Sequence, residues 1–349
     1  MKTRVLIVDD SSVVRTLLSR ILASDPDIEV VGTAPDPYVA RDKLVALKPD
    51  VMTLDIEMPR MDGLTFLEKV MKHFPTRTVI ISSLSTAQSA TALRALELGA
   101  IDVLEKPALD VTKALNTMAD DIRAKVKTAA CARLRQPLLH SPVATPAVTN
   151  RSLIRTTHQI LAIASSTGGT EALKVVLSRL PEDIPGTVIV QHMPPVFTRT
   201  YADHLQQLCR FEVKEAEDGD RILPGRALLA PGNFHMEVTR NGAYYHVKLH
   251  QEPILHGVRP AADYLMNSVA KYAGANAIGL ILTGMGRDGA AGLLNMKKAG
   301  SFNIAQDEST CVVFGMPKAA IEAGAIDAVL PLERIHDKIL DRMKERAAS

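Results

Sequence analysis

The 349-residue sequence contains no tryptophan, and aromatic residues make up only 4% of it. Proteins that bind single-stranded nucleic acids stack bases on aromatic side chains, so this class is disfavoured. The 41 basic and 39 acidic residues give a net charge of +2. The sequence therefore also lacks the basic excess of proteins that bind nucleic acids electrostatically. We expect no nucleic-acid partner.

Cysteine is scarce as well, with Cys131, Cys209 and Cys311 scattered along the chain. This small, odd number excludes a disulfide framework and suits a reducing compartment. No apolar run approaches the length of a membrane span. Asp9 and Asp10 stand where a signal peptide would continue its apolar stretch. The sequence predicts a cytoplasmic protein without membrane insertion.

The first 122 residues alternate short apolar runs with amphipathic helical patterns. Strands that alternate with helices in this way are typical of a parallel sheet covered by helices on both faces. We predict a doubly wound, flavodoxin-like α/β domain over residues 1–122. Its five predicted strands are Val5–Val8, Val30–Gly32, Val51–Leu54, Val79–Ile81 and Val103–Leu104.

Residues 123–158 are rich first in alanine and then in proline, serine and threonine, which predicts a linker. The alternation resumes over residues 159–345 and predicts a second α/β domain with a mainly parallel sheet. Within it, Asn241-Gly242 separates two alternating runs, the pattern of a β-hairpin over residues 236–250. The other predicted strands are Ile160–Ala164, Thr187–Val190, Ala227–Ala230 and Ala277–Leu282.

Three acidic residues stand at strand ends in the first domain. Asp9 and Asp10 end the first strand and Asp55 ends the third. Because the carboxyl ends of neighbouring parallel strands converge, these carboxylates should share one pocket. Oxygen ligands of this kind favour Mg²⁺. A single strand-end acid is usually just a solvated loop residue, but acids at two strand ends are harder to explain in that way.

Basic and hydroxyl side chains follow the next strands. Lys106 comes after the fifth strand and could hold a phosphoryl oxygen, and Ser82 or Ser83 after the fourth offers a hydroxyl. Together with the acids, they form a pocket suited to a phosphorylated carboxylate. The coincidence of two acidic strand ends with this lysine favours a functional pocket over separate solvated residues.

The segments Val8-Asp9-Asp10, Asp55-Ile-Glu-Met-Pro-Arg-Met-Asp-Gly63 and Lys106-Pro107 resemble the signature of two-component receiver domains. The resemblance covers residues 1–122. It implies that Asp55 accepts a phosphoryl group from a histidine kinase. It also implies that Asp9, Asp10, Asp55 and the Glu57 carbonyl hold Mg²⁺, with Lys106 and Ser82 as switch residues. Receivers often carry an aromatic residue shortly before the lysine, where this chain has Val103.

The run Ile-Leu-Ala-Ile-Ala-Ser-Ser-Thr-Gly-Gly at 160–169 predicts an apolar strand that ends in a small-residue turn, followed by a helix over 170–180. A serine on a tight strand-to-helix turn is well placed to act as a nucleophile. The helix N-terminus favours negative charge that develops nearby. The turn would equally suit close packing or a phosphate cradle. It offers two hydroxyls, on Ser165 and Ser166.

A base and an acid follow two other strands. His192 comes after the strand at 187–190, and Asp288 lies on a glycine-rich loop after the strand at 277–282. Three strand ends would thus bring serine, histidine and aspartate to one edge, as a catalytic triad needs. Each residue also has a plainer interpretation, since His192 could be a loop residue and Asp288 a turn former. No Cys-x-x-Cys or His-Glu-x-x-His pattern supports zinc.

Four segments resemble the catalytic domain of the chemotaxis protein-glutamate methylesterases, and the receiver precedes it in the order of that family. The resemblance spans about residues 1–345 and implies Ser166, His192 and Asp288 as catalytic residues. It implies that donors near Gly168 and Met285 support the oxyanion. The segments are Ala-Ser-Ser-Thr-Gly-Gly at 164–169, Gln-His-Met-Pro-Pro at 191–195, Leu-Ala-Pro-Gly-Asn at 229–233 and Leu-Thr-Gly-Met-Gly-Arg-Asp-Gly-Ala at 282–290.

The sequence departs from this family at one place. The family usually has Gly-Ala before the serine, whereas this chain has Ala164-Ser165. Register with the following Thr-Gly-Gly favours Ser166 over Ser165 as the nucleophile. Small residues two positions to either side, Ala164 and Gly168, also fit a nucleophile turn.

The resemblance implies an esterase that hydrolyses glutamate γ-methyl esters on the cytoplasmic helical domains of chemoreceptors and deamidates receptor glutamines. Hydrolysis would need no cofactor. Phosphorylation of Asp55 would shift the catalytic domain between occluded and open states. Two alternatives stay open. One is a serine hydrolase of another substrate class, such as a peptidase, and the other is a non-enzymatic regulator with a partner-binding domain.

Overall fold

The structure is a computed structural model that describes residues 2–82, 86–106, 114–134 and 159–348. Two compact units are present, Met1–Pro137 and Leu138–Ser349. Ser83, Pro107 and most of the predicted linker, residues 135–158, lie outside the described residues. The predicted limit at residue 122 falls inside the helix Ala114–Cys131. Within the described ranges, no helix is both long and apolar enough to cross a membrane.

The first unit is a five-stranded parallel sheet in the order β2-β1-β3-β4-β5, which confirms the predicted fold class. The strands are apolar because helices cover both faces of such a sheet. Its strands are β1 Thr3–Val8, β2 Ile28–Ala34, β3 Val51–Asp55, β4 Arg77–Ser82 and β5 Asp102–Glu105. Its helices are α1 Ser12–Ala23, α2 Pro37–Leu47, α3 Gly63–His73, α4 Thr86–Glu97 and α5 Ala114–Cys131.

Capping side chains begin the first helices of this unit. Ser11 accepts a hydrogen bond from the Val14 amide at the start of α1. Asp62 does the same for α3, accepting from the Thr65 amide at 2.8 Å. Such caps satisfy amides that have no partner inside the helix. They fix where α1 and α3 begin, after the loops that follow β1 and β3.

The second unit contains a seven-stranded parallel sheet in the order β14-β13-β12-β6-β7-β9-β8, and a separate antiparallel hairpin, β10-β11. The predicted strands and hairpin are confirmed, whereas β8, β13 and β14 were not predicted. The strands are β6 Ile160–Ser165, β7 Gly186–Gln191, β8 Glu212–Glu215, β9 Arg226–Leu229, β10 His235–Asn241, β11 Tyr244–His250, β12 Ala277–Ile281, β13 Phe302–Gln306 and β14 Ala328–Leu330. The helices are α6 Gly169–Leu177, α7 Phe197–Leu208, α8 Ala262–Tyr272, α9 Ala290–Lys298, α10 Met316–Glu322 and α11 Leu332–Ala348.

Strand order places a switch point beside β6. The chain proceeds from β6 to β7 on one side and later returns to β12 on the other. Crevices at the carboxyl ends of strands next to such a point are the usual ligand sites of open α/β sheets. The first sheet has the same feature between β1 and β3. The two candidate sites lie at these two places.

The hairpin packs against α8 and so helps to position the start of that helix. The buried face of the hairpin includes Met236, Val238 and Val247, which belong to the core cluster of this unit. The Val238 amide also donates a 2.8 Å hydrogen bond to the hydroxyl of Ser268 on α8. This contact connects the antiparallel hairpin to the helix whose N-terminus reaches the candidate site.

Candidate active site

Ser166 lies on the turn between β6 and α6. Gly168 has a φ of 77° there, a left-handed conformation that glycine adopts without strain. A Cβ at Gly168 would also lie 2.6 Å from the Val312 side chain. The Gly169 amide donates to the Ser166 carbonyl at 2.7 Å and closes the turn. Ser166 itself is half-buried.

The neighbouring serine faces the interior. Ser165 is completely buried, and its hydroxyl donates to Gln191 Oε1 at 2.7 Å. The Gln191 amide group in turn donates to the carbonyls of Ser166, at 2.9 Å, and of His192, at 3.1 Å. Ser165 therefore belongs to a buried hydrogen-bonded group. Of the two hydroxyls, the one on Ser166 is at the surface of the turn.

His192 and Asp288 are in contact, although 96 positions separate them in sequence. His192 follows β7 and Asp288 lies on the loop after β12. Their Nε2 and Oδ2 atoms are 2.8 Å apart. The His192 amide donates to the Ser165 carbonyl at 3.1 Å, which holds this histidine beside the serine turn. The strand ends of β6, β7 and β12 thus converge at one edge.

Asp288 is buried at the N-terminus of α8. Its Oδ2 accepts from the Ala262 amide at 2.6 Å, and its Oδ1 accepts from the Asp263 amide at 3.0 Å. Burial alone would raise the pKa of Asp288, but the hydrogen bond and charge of His192 and the two amides outweigh it and lower the pKa. Asp288 is therefore held as an anion that can orient and stabilise a protonated His192.

The loop after β12 packs directly against the serine. The Ser166 amide donates to the Thr283 carbonyl at 3.0 Å. The Thr283 hydroxyl donates to the Thr167 carbonyl at 3.0 Å. A Cβ at Gly284 would lie 2.7 Å from Ser166 Cβ, so only glycine permits this approach. Because its amide is occupied by Thr283, Ser166 does not supply an oxyanion donor through its own backbone.

Met285 follows Gly284 on the loop that packs against the serine turn, and it is 45% exposed. Its side chain therefore lies at the surface of the site, on the loop that contacts the serine turn. Gly168 lies on the turn itself. The two segments predicted to support an oxyanion thus both lie next to Ser166.

The strand ends of the first unit form the second site. Ligand oxygens of Asp9, Asp10 and Asp55 lie within 4.8 Å of one another. Asp9 and Asp55 are each 1% exposed, whereas Asp10 is exposed. Lys106 Nζ is 2.6 Å from Asp55 Oδ2 and 3.4 Å from Asp9 Oδ2. Ser82 is buried at the end of β4.

Burial dominates the electrostatics of this pocket. It raises the pKa of Asp55 to about 6 although Lys106 opposes the shift, and it raises the pKa of Asp9. For Lys106, burial alone would lower the pKa, but Asp55 and Asp9 raise it. One lysine does not neutralise three carboxylates, so the pocket favours an additional cation.

One buried carboxylate oxygen of the pocket has only a long ion-pair contact. Asp9 Oδ2 meets no hydrogen-bond criterion among the described residues and lies 3.4 Å from Lys106 Nζ. The ligand atoms of the pocket are carboxylate oxygens, from two buried residues and one exposed residue. Such a set fits Mg²⁺, which binds one or two carboxylates and keeps several waters. Glu57 is exposed beside the pocket, and its amide donates to Asp55 Oδ1 at 3.1 Å.

Several supporting residues have no role in the sequence analysis. Arg15 donates to the carbonyls of Asp9, at 2.7 Å, and Asp10, at 2.9 Å, and so holds the acidic loop. Gln191 and Thr283 organise the serine turn. Gln191 directly precedes His192 and Thr283 lies two positions after the end of β12, so position beside a strand end was the available signal. Nothing local in the sequence indicates the contacts of Arg15.

Comparisons with known proteins give consistent matches to both units. Residues 161–339 match the family model described as CheB methylesterase, and residues 5–118 match the one described as response regulator receiver domain. A protein of Bdellovibrio bacteriovorus named protein-glutamate methylesterase/protein-glutamine glutaminase is 63% identical over 351 residues. That alignment covers 100% of this chain and 99% of the relative.

Two further matches agree. A Pseudomonas aeruginosa protein named protein-glutamate methylesterase/protein-glutamine glutaminase 2 is 52% identical over 348 residues, covering 100% of this chain and 99% of that protein. The crystal structure of the Thermotoga maritima CheB methylesterase catalytic domain superposes with a TM-score of 0.52 at 41% identity. It covers 53% of this chain and 98% of that domain.

Proposed function

This chain belongs to the CheB methylesterase family, and from that premise we propose that it hydrolyses glutamate γ-methyl esters on chemoreceptors under the control of phosphorylation at Asp55. The observation that carries the proposal is the 2.8 Å contact of His192 with the buried Asp288, at the strand edge where Ser166 occupies a surface turn. A nucleophile, a base and an orienting carboxylate are the minimum for acyl transfer by a serine hydrolase.

The proposed roles rest on the contact between His192 and Asp288 and on the position of Ser166 at the same strand edge. Asp288 accepts a hydrogen bond from the Nε2–H of His192, so the lone pair of Nδ1 serves as the base. His192 removes the proton of Ser166 as Oγ attacks the ester carbonyl carbon. Amides near Gly168 and Met285 stabilise the oxyanion. The C–O bond then breaks, and His192 gives its proton to the departing methoxide, which leaves as methanol.

Water completes the reaction. His192 takes a proton from water as the oxygen attacks the acyl-enzyme carbonyl. Collapse of the second oxyanion releases the glutamate side chain and returns the proton to Ser166. A glutamine side chain would follow the same course with ammonia as the leaving group. The enzyme would thus be both a methylesterase and a glutaminase. By removing methyl groups from receptors it would oppose receptor methylation in chemotactic adaptation.

In the receiver unit, we assign Asp55 as the phosphoryl acceptor and a chemotaxis histidine kinase as the donor. Asp9, Asp10, Asp55 and the Glu57 carbonyl would hold Mg²⁺, which screens the charge of the phosphoryl oxygens. Lys106 would contact a phosphoryl oxygen, and the Ser82 hydroxyl would respond to the modification. Phosphorylation would shift the population towards states in which Ser166 is open to substrate.

We assign a separate function to each of the three predicted segments. Residues 1–122 would act as the receiver, residues 123–158 as a linker and residues 159–345 as the esterase. The substrate is the cytoplasmic helical region of a chemoreceptor, and the kinase is also cytoplasmic, so we place the enzyme in the cytoplasm. Cys131, Cys209 and Cys311 form no disulfide with one another, in keeping with a reducing compartment.

Methanol release from methylated receptor membranes, with and without a small-molecule phosphodonor, tests the proposal. Ser166→Ala should abolish release, while Ser309→Ala, a substitution of an exposed serine, should leave it unchanged. Asp55→Asn should remove the stimulation and keep basal release. Wild-type release from the Ser166→Ala protein would contradict the catalytic assignment. Receptor fragments without methanol would favour a peptidase.

A further inference from the structure

A second histidine–aspartate pair lies behind the first. His256 Nε2 is 2.9 Å from Asp263 Oδ2, as His192 Nε2 is 2.8 Å from Asp288 Oδ2. Asp263 is 4% exposed, whereas the His256 side chain is 30% exposed. His256 has a φ of 55°, a left-handed conformation that is uncommon for a residue with a side chain. The local backbone therefore holds this histidine against the carboxylate.

The two pairs are connected through Asp263. Its amide donates to Asp288 Oδ1 at 3.0 Å, and its own Oδ1 accepts from the Gly292 amide at 2.7 Å. Asp263 lies in the first turn of α8 and Gly292 in the first turn of α9. Asp263 thus ties the starts of the two helices together around Asp288.

The same residues place two buried carboxylates close together. Ligand atoms of His256, Asp263 and Asp288 lie within 4.8 Å of one another. Each of these side chains already has a hydrogen-bond partner among the described residues, so we do not assign a metal ion here. When two buried carboxylates lie this close, the charge of each disfavours ionisation of the other unless nearby cations or hydrogen-bond donors stabilise both charges. His256 contacts one of them, Asp263, and His192 contacts the other, Asp288.

The other basic groups around the pair have hydrogen-bond partners of their own or face solvent. His235 donates from Nε2 to the Pro253 carbonyl, and its Nδ1 accepts from the Ala261 amide, so both ring nitrogens are committed in the neutral form. Burial lowers the pKa of His235. Arg259 carries a permanent charge and donates to the Asn233 side chain, and Arg287 is exposed. His192 and His256 are therefore the two imidazoles that contact the neighbouring carboxylates of Asp288 and Asp263.

We infer that His256 and Asp263 are positioning residues for the esterase, and that the charge of this pair sets the pH at which His192 becomes an active base. The inference rests on the proposed function. Asp263 adds a negative charge near His192 that favours its protonated form. His256, when protonated, masks that charge. Asp263 is connected to His192 through Asp288, and His256 is connected to Asp288 through Asp263.

The pH profile of kcat/KM for methanol release is the test. Asp263→Asn keeps the size of the side chain and an oxygen that can accept from Gly292, but it removes the charge. The acid limb of the profile is the pH range over which kcat/KM rises as His192 loses its proton. Because His192 loses its proton more easily in this variant, the acid limb should move to lower pH by about one unit. A purely structural role would reduce kcat/KM at every pH and leave the limb in place, and that result would overturn the inference.

His256→Gln keeps an N–H donor for Asp263 but cannot carry a positive charge. The charge of Asp263 is then unmasked, so the acid limb should move to higher pH. In the double variant, the limb should coincide with that of Asp263→Asn, because His256 acts only through Asp263. A limb that stays in place in His256→Gln, or additive shifts in the double variant, would contradict the pairing.

A control variant separates local from general effects of charge. Asp327→Asn removes a carboxylate that contacts Lys297 at the amino ends of β13 and β14, the edge opposite Ser166. Its acid limb should match that of the wild type, and a shift equal to that of Asp263→Asn would overturn the inference. Absence of Ser166-dependent release from the wild type would instead contradict the proposed function, so the two failures are distinguishable.

Discussion

The hydroxyl of Ser165 donates a 2.7 Å hydrogen bond to Oε1 of Gln191, inside the second unit, where Ser165 has no exposed surface. Gln191 uses its amide hydrogens to hold the carbonyls of Ser166 and His192. One buried side-chain pair thus fixes the backbone on both sides of the candidate site. The two adjacent serines consequently have different tasks, one inside the fold and one at its surface.

Substitution should separate these tasks. Ser165→Ala leaves Gln191 Oε1 buried without its donor, so the free energy of unfolding should fall by about 1–3 kcal/mol, while folded protein keeps most of its activity. Ser166→Ala should leave stability nearly unchanged and reduce methanol release by at least about a thousandfold. Urea unfolding and methanol release measure both effects. Loss of activity in Ser165→Ala at wild-type stability would reverse the assignment.

The close approach of Gly284 to the serine turn gives a second prediction. A methyl group there would lie 2.5 Å from Met316 Sδ and 2.7 Å from Ser166 Cβ. The loop and the serine must then move apart, and a displacement near 1 Å reduces catalysis by about a hundredfold. We expect Gly284→Ala to lower kcat/KM to that extent.

Gly32→Ala is a suitable comparison, since the nearest atom to its methyl group would be the end of the Leu47 side chain, at 3.0 Å, in the receiver unit. Basal methanol release should be unaffected by that change. Equal losses in the two variants would show that the effect of Gly284→Ala is not specific to the serine turn.

Much of this arrangement could be predicted, because apolar runs locate strand ends and parallel strands bring those ends together. Ser166, His192 and Asp288 all follow such runs. The strand β13 was missed because its sequence, Phe-Asn-Ile-Ala-Gln, is not continuously apolar. Its Asn303 is nonetheless fully buried, since its amide donates to the carbonyls of Leu293 and Ala325 at 2.8 Å. A partner of that kind is not visible in a local pattern.

The same limit applies to the second histidine–aspartate pair. His256 precedes a turn and Asp263 begins a helix, positions at which either residue has ordinary local explanations. Their relation to Asp288 depends on how α8 and α9 meet, a contact between segments 25 residues apart. The choice of Ser166 over Ser165 was predicted from register and from the small flanking residues, whereas the hydrogen bond of Ser165 to the buried Gln191 is visible only in the fold.

Asp55 should make the stability of the receiver depend on pH. Burial raises its pKa from 3.8 to about 6, so between these values the folded protein holds a proton that the unfolded chain has released. Stability from this group is therefore present at low pH and is lost as pH rises from about 4 to 6. In metal-free buffer above pH 7, Asp55→Asn should be more stable than the wild type by about 2 kcal/mol.

Thermal unfolding of the full chain at a series of pH values, with a chelator present, measures this difference. The advantage of Asp55→Asn should shrink as pH falls below 6 and vanish near pH 4. Asp42→Asn, which removes an exposed carboxylate of the same unit, should show no such trend. A stability difference independent of pH would contradict the raised pKa.

Added Mg²⁺ should stabilise the receiver by binding the folded state. The acidic pocket offers the buried Oδ2 of Asp9, which is 3.4 Å from Lys106 Nζ, and the exposed carboxylate of Asp10. At pH 7.5, millimolar Mg²⁺ should raise the melting temperature of this unit, and the effect should weaken below pH 6 as Asp55 takes up a proton. Asp10→Asn should lose most of the shift while Asp42→Asn keeps it. An equal shift in both variants would show that Mg²⁺ binds elsewhere.

Asp288→Asn should damage both activity and stability, unlike Ser166→Ala. Asp288 accepts hydrogen bonds from His192 and from the amides of Ala262 and Asp263, and an asparagine NH₂ group would oppose a donor on one side. Burial alone would raise the pKa of Asp288, but these donors lower it. The ionised carboxylate therefore stabilises the folded protein at pH values above the pKa of the unfolded chain, which is near 4. This stabilisation is lost as pH falls through the lower pKa of the folded protein. Esterase activity should decrease by about 10⁴-fold, as it does when the triad carboxylate is neutralised in serine proteases. Urea unfolding at pH 7 should show a stability deficit that shrinks towards pH 3, and a deficit constant over that range would mean that the charge of Asp288 does not contribute.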